Sequence, residues 1–224
     1  GFAEQAVVPA TQVYHAPEGV SFEALAGLLI NYGTSYHALK DRAAMQQGET
    51  LLVLGAAGGV GLSAVELGAL MGAKVIAAAS SADKLELARS RGASELINYT
   101  TEDLRERIKA ITNGKGVDVV YDPVGGDATL ATIKSLAWGG RHLVIGFAAG
   151  DIPKMPLNLA LLKGCDIRGV FWGAWTRVNP EKNRANLEKL VKWTAEGKIS
   201  SHVDRTFPLA QTADALKVLA GRKA

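Results

Sequence analysis

Two rhythms of apolar residues alternate along the chain. Short continuous runs of leucine, alanine and β-branched residues give way to stretches whose apolar positions return every three to four residues, the period of a buried helix face. The runs are Leu51–Leu54, Lys74–Ala79, Glu95–Ile97, Val117–Tyr121, Arg141–Ile145 and Asp166–Val170, and each reads as a strand. Helices are expected over Val60–Met71, Ala82–Arg91, Glu102–Thr112, Asp127–Leu136 and Asn158–Lys163, with Gly92 stopping the second of them. Two more follow: Pro180–Glu196, with Leu187, Leu190, Val191 and Trp193 in its apolar positions, and Leu209–Leu219. Six short runs separated by helices predict an α/β fold: a doubly wound, parallel, six-stranded sheet with helices on both faces.

The opening segment is less regular. Phe2–His15 reads as extended, with Pro9 as a break and Pro17-Glu18-Gly19 as a turn. Ser21 fits a helix N-cap, and apolar residues at Phe22, Leu25, Leu28 and Leu29 continue from it. A separate helical segment is expected over Tyr32–Arg42.

Between the first strand and its helix lies a cluster of small residues, Gly55–Gly61. Against the dinucleotide fingerprint G-x-G-x-x-G, the register is Ala56-Ala57-Gly58-Gly59-Val60-Gly61, with Ala56 in the first glycine's place. Gly58, without a Cβ, lets backbone approach a pyrophosphate, and Gly61 lets the helix pack closely on the strand. The helix N-terminus offers unpaired N–H groups and the positive end of its dipole to phosphates. The position of the motif, after a strand and before a helix, specifies a Rossmann fold with strand order 3-2-1-4-5-6.

The end of the second strand reads Ala77-Ala78-Ala79-Ser80-Ser81. An NAD site usually places an acid here, about 20 residues past the glycines, to hold the ribose 2′-hydroxyl. The nearest acid is Asp83, and Lys84 and Arg89 follow. Hydroxyls and positive charge suit a 2′-phosphate, which a carboxylate would repel, so the site reads as one for NADPH. Ser80-Ser81 also fits a plain helix cap, and Lys84 a solvated helix face. Asp122–Gly126, Gly146–Ala148 and Phe171–Gly173 follow the fourth, fifth and sixth strands, at the sheet edge where such folds bind ligands. Phe171, Trp172 and Trp175 fit a flat pocket over a nicotinamide, and equally an oligomer interface. Asp122 reads as a loop cap.

Composition narrows the classes. In 224 residues, 48% apolar and 21% charged content is ordinary for a globular chain that buries a sizeable core. The net charge is +3 and the positive residues are scattered along the sequence, which gives no nucleic-acid footprint. Cys165 is the only cysteine, which excludes an internal disulfide and a cysteine-rich zinc site and suits a reducing, cytoplasmic compartment. No apolar run reaches the length of a membrane span, and no metal site is expected, since His15, His37, His142 and His202 lack ligand spacing.

The segments NYGTSYHAL (Asn31–Leu39), GAAGGVGLSAVELGALMGAKVIAAASSADKLELARSRGA (Gly55–Ala93), GVDVVYDPVGG (Gly116–Gly126) and WGGRHLVIGFAAGDIP (Trp138–Pro153) go beyond the bare fold. INY (Ile97–Tyr99), GVFWGAW (Gly169–Trp175) and FPLAQTADAL (Phe207–Leu216) continue the pattern. Together they resemble the zinc-independent, zeta-crystallin-like quinone oxidoreductase branch of the medium-chain dehydrogenase/reductase superfamily. The resemblance implies that residues 1–20 are a remnant of a GroES-like catalytic lobe and 21–224 an NADPH-binding Rossmann domain. It implies cofactor roles for Asn31 and Thr34 near the nicotinamide and for Gly58, Gly59 and Val60 at the pyrophosphate. Ser80, Lys84 and Tyr99 match positions that hold the 2′-phosphate, and Lys223 matches a further basic residue. Val124 with Gly125, and Gly146 with Phe147, match nicotinamide-ribose loops, and Phe171 and Trp172 the segment whose backbone meets the carboxamide. The implied reaction is hydride transfer from NADPH to a small-molecule acceptor, a quinone or activated α,β-unsaturated carbonyl. An enoyl thioester reductase and a non-catalytic NADPH-binding module are the alternatives. Catalytic residues fall in the lobe outside this chain, which is then inactive alone. A homodimer is implied, paired through the edge strand near Asp166–Val170.

Overall fold

The computed structural model describes residues 2–221. The strands are β1 (Thr50–Leu54), β2 (Lys74–Ala79), β3 (Glu95–Asn98), β4 (Val117–Asp122), β5 (Leu136–Val144) and β6 (Asp166–Gly169). They form one sheet in the order β3-β2-β1-β4-β5-β6, all parallel, as the sequence predicts. The helices are α1 (Phe22–Tyr36), α2 (Gly59–Leu70), α3 (Ala82–Ser90), α4 (Leu104–Ile111), α5 (Gly126–Lys134) and α6 (Asn158–Lys163). After β6 come α7 (Trp172–Val178), α8 (Pro180–Ala195) and α9 (Thr212–Ala220).

Alternation within the central strands divides the interior into two cores. Leu51 and Val53 of β1 join Val75, Val119 and Tyr121 against α1, α2 and α8, where Leu28, Leu39, Val65 and Leu190 are buried. Leu52 and Leu54 turn the other way, with Ile76, Val120, Ile108 and Ile133. A strand buried on both faces has no polar position to spare, which is why β1 reads as an unbroken apolar run. Each such side chain contributes roughly 1.5–3 kcal/mol on burial.

Four elements depart from the sequence reading. The two helical segments before β1 are one: α1 is capped by Ser21, whose Oγ accepts the Ala24 N–H at 3.2 Å, and continues through a wider turn over His37–Arg42. That turn closes with the Ala43 N–H on the Ala38 carbonyl at 2.8 Å. β5 begins at Leu136, inside the stretch read as helix. Val117 pairs with Leu136 and Val119 with Arg141, so Ala137–Gly140 bulge out, and Gly139 takes a φ of +73°. α7 replaces an expected loop. The segment before α1 holds a 3-10 turn at Ala10–Gln12, and no strand is present among its described residues.

The fold also gathers charges that are scattered in sequence. Arg105, Lys109, Lys115, Lys134 and Lys163 ring a hollow of about 160 Å³ at the amino end of β4 and β5. Lys109, Lys134 and Lys163 stand in the last turns of α4, α5 and α6, where a cation offsets the negative end of the helix dipole.

Candidate functional site

Because every strand runs the same way, the loops leaving β1 to β6 emerge at one edge of the sheet. The glycine loop lies at its centre, where strand order reverses between β1 and β4. Gly58 caps α2 with extended backbone, φ −75° and ψ 163°. A Cβ there would stand 3.4 Å from the Gly55 carbonyl oxygen and meet nothing else within 4 Å. At Gly61 a Cβ would overlap the carbonyl oxygen of Gly55 and come within 3.1 Å of Ala56 Cα. The two glycines therefore do different things: Gly61 admits the helix to the strand, and Gly58 leaves the outer side of the loop open.

The first turn of α2 is unsatisfied in the way an anion site requires. Leu62 N–H donates to the Gly58 carbonyl at 2.7 Å, but the N–H groups of Gly59, Val60 and Gly61 donate to no acceptor among the described residues. Asn31, on α1, lies over this turn: a Cβ on Gly59 would sit 2.8 Å from Asn31 Nδ2. Thr34, three residues on and half-buried, follows it on the same helix.

The loop after β4 is built on a carboxylate. Asp122, 2% exposed, accepts the Val124 and Gly125 N–H groups on Oδ1, both at 2.9 Å. Its Oδ2 accepts the Thr129 hydroxyl at 2.5 Å and lies 3.2 Å from Nε2 of the buried His142. Burial alone would raise the Asp122 pKa. The nearby His142 ring and the hydrogen bonds from Thr129 and the Gly125 N–H outweigh it and hold the carboxyl below its usual range. Asp122 is thus the loop cap that its position suggests.

Gly125, with φ +74° and ψ −152°, occupies backbone space open essentially only to glycine. A Cβ there would stand 2.9 Å from Phe147 Cδ1, and one on Gly55 3.1 Å from Val124 Cγ2. The Ala149 N–H donates to the Val124 carbonyl at 2.8 Å. Val124, Gly125, Gly146 and Phe147 are therefore one surface beside the glycine loop.

At the far side, Ser80 follows β2 and Tyr99 follows β3. The Tyr99 N–H donates to the Ala79 carbonyl at 3.2 Å and the Thr100 hydroxyl to the Ser80 carbonyl at 3.3 Å, which sets the two strand ends side by side. Lys84 stands in the first turn of α3, half-buried, with no ion-pair partner among the described residues.

A family profile described as "Zinc-binding dehydrogenase" matches residues 59–194. The chain belongs to this family. It is 38% identical over its whole length to a quinone oxidoreductase-like protein 2 homolog of Nematostella vectensis, covering 61% of that protein. It is 32% identical to a quinone oxidoreductase of Pseudomonas aeruginosa, with 99% of this chain aligned to 68% of the relative. A mycobacterial structure complexed with NADPH superposes with a TM-score of 0.89 at 28% identity, over 96% of this chain and 66% of that one. These relatives place the chain in the quinone oxidoreductase branch of the medium-chain dehydrogenase/reductase superfamily. The chain spans less than two thirds of the length of the first relatives it matches.

The aromatic trio divides. Trp172 turns inward: its ring lies over Gly33, where a Cβ would meet Cζ2 at 2.7 Å, and Nε1 donates to Asn183 Oδ1 at 3.2 Å. Trp175 stacks on His37 with ring centroids 4.0 Å apart. Both tryptophans are half-buried, with Trp172 still lining a hollow beside Leu29, Ile30 and Leu187, and Phe171 is exposed, at 78%. Lys223 lies outside the described residues. Among the described residues no group of three or more His, Cys, Asp or Glu side chains is placed to hold a metal ion. Among the described residues no helix is long and apolar enough to cross a membrane.

Proposed function

We propose that this chain is the cofactor domain of an NADPH-dependent oxidoreductase of the quinone reductase type. The observation that carries the reading is the row of unpartnered N–H groups on Gly59, Val60 and Gly61, placed at the central switch point of the sheet. These donors, with the Gly58 opening, would hold the pyrophosphate. Ser80, Lys84 and Tyr99 would hold the adenosine 2′-phosphate, since no carboxylate stands at the end of β2 to repel it. Asn31, Thr34, Val124, Gly125, Gly146, Phe147 and the backbone of Phe171 and Trp172 would orient the nicotinamide half.

When bound, NADPH supplies a hydride from its nicotinamide C4 to an electron-poor acceptor, a quinone or activated α,β-unsaturated carbonyl. The chain's residues fix the ring's position and shield one side of it from water. We assign residues 21–224 to this domain and residues 1–20 to the end of a preceding catalytic lobe. That lobe, within the part of the relatives' length this chain does not span, would bring the groups that polarise the acceptor. The lone, buried Cys165 thiol supports a reducing, cytoplasmic setting. We also assign a homodimer through β6, the edge of the sheet nearer exposed Trp138, Leu161, Leu162 and Ile167.

Calorimetric titration of the chain with NADPH and NADH tests the cofactor. Tighter binding of NADPH is expected; equal affinity would refute the roles of Ser80 and Lys84, and binding of neither would refute the cradle. For the full-length protein, NADPH oxidation is expected with a quinone. Activity on crotonyl-CoA alone would replace the quinone with an enoyl thioester.

A further inference from the structure

Beneath the glycine loop three hydroxyl groups meet. Ser35 Oγ lies 2.9 Å from Ser63 Oγ and 2.8 Å from the Tyr121 hydroxyl. They belong to α1, α2 and β4, and each residue is at most 1% exposed. Ser35 Oγ donates to the Val60 carbonyl at 2.9 Å, and Ser63 Oγ shares its proton between the Asn31 carbonyl at 3.1 Å and the Val60 carbonyl of its own helix at 3.0 Å. The Val60 carbonyl of α2 is thus reached from both helices, and the Asn31 carbonyl of α1 from α2. Tyr121 has Ser35 as its side-chain partner and donates to it, and burial keeps the phenol protonated by lifting its pKa well above the usual range.

The placement of this cluster gives it a consequence. Its two backbone acceptors are residues of the cradle itself: Asn31, whose side chain covers Gly59, and Val60, in the first turn of α2. Thr34 is the neighbour of Ser35 in sequence. Apolar packing alone does not need hydroxyls here, since alanine and phenylalanine would fill most of the same space and bring no polar atoms to desolvate. A fully satisfied buried network instead selects one register between elements that could otherwise slide.

Resting on the cofactor reading above, we infer that Ser35, Ser63 and Tyr121 are positioning residues of the dinucleotide cradle. They lock Asn31 and Thr34 on α1 against the Gly58–Val60 turn of α2, and so fix the nicotinamide half of the cofactor relative to its pyrophosphate. The adenosine end, seated on β2, β3 and α3, is independent of the lock.

The test is a pair of ligands on three variants, Tyr121→Phe, Ser63→Ala and Ser35→Ala, each of which removes one oxygen. NADPH and adenosine 2′,5′-bisphosphate are titrated by calorimetry into the folded chain. The NADPH dissociation constant is expected to rise roughly fivefold or more, the lower end of coupling between linked sites, while that of the bisphosphate stays within about twofold. A merely structural role lowers the thermal midpoint and leaves both constants in place, and that result overturns the inference while sparing the cofactor reading. Equal weakening of both ligands also overturns it, as a general loosening of the domain. If the unmodified chain binds neither ligand, the cofactor reading fails and this inference with it. Should one variant not fold, the other two carry the same comparison.

Discussion

A Cβ on Gly61 would overlap the carbonyl oxygen of Gly55, the residue that follows β1 and turns the chain toward α2. The neighbour is backbone at the centre of the sheet, so it cannot swing aside. Gly61→Ala is expected to lower stability by about 3 kcal/mol, the upper part of the usual overpacking range, in a denaturant melt. Gly58→Ala is expected to act differently. Its Cβ meets only ordinary contact, so stability changes by about 1 kcal/mol or less, while NADPH binding weakens at least about tenfold.

On the proposed function, the cofactor preference is expected to depend on Lys84. It has no competing carboxylate partner among the described residues, and it stands in the first turn of α3, four residues after Ser80. Lys84→Ala is expected to weaken NADPH by about 1.5–3 kcal/mol, the worth of one charge-assisted hydrogen bond, and to leave NADH nearly unchanged. Calorimetry with both cofactors checks it; equal losses would assign Lys84 to the solvated face of α3.

Asp122 organises the loop that follows β4. Asparagine there can keep its oxygen on the Val124 and Gly125 N–H groups and turn its N–H₂ toward the Thr129 hydroxyl, which then accepts, but the charge that strengthens these bonds is lost. A loss of about 3 kcal/mol is expected for Asp122→Asn, with weaker NADPH binding by the protein that remains folded. Thr129→Val, which removes a single donor, is expected to cost about 1 kcal/mol. Urea melts of the two variants rank them.

His37 gives the stability of the domain a pH dependence. Burial lowers its pKa, against the pull of Asp41 Oδ2 at 2.9 Å from Nδ1, and Trp175 covers the ring. The unfolded chain, with a His pKa of about 6.5, therefore binds a proton more readily than the folded one. The contribution is fully present above about pH 6.5 and is lost as the pH falls from there through the folded value. The thermal midpoint is expected to drop between pH 7.5 and 5.5, and His37→Gln to flatten that slope. An unchanged slope would place the titration elsewhere.

Self-association is expected to depend on the β6 edge. Leu161→Asp, on exposed α6, adds a charge to an apolar surface without disturbing either core. Sedimentation equilibrium should show a dimer for the unmodified chain and a monomer for this variant.

The sheet was legible in the chain because its strands are buried on both faces, so that LLVL at β1 and its counterparts stand as continuous apolar runs. The glycine loop was legible because close backbone approach needs a missing Cβ, and that need is local. The position of Ser80 was legible because parallel strands put every strand end at one edge. The bulge over Ala137–Gly140 was not legible, because whether Leu136 ends a helix or starts a strand depends on its pairing with Val117. Nor was the inward turn of Trp172, which depends on room over Gly33, 139 residues earlier in the chain. The basic residues at the lower end of the sheet, and the meeting of Ser35, Ser63 and Tyr121, lay hidden in the same way. The amino-acid sequence by itself determined the strand-and-helix rhythm, the glycine loop and the acid-free end of β2, since each rests on periodicity or on one residue's own geometry. Which aromatic rings are free, which charges gather and which hydroxyls hold the cradle in register were decided only by the tertiary structure, because side chains distant in the chain become partners only after the sheet and its helices have packed.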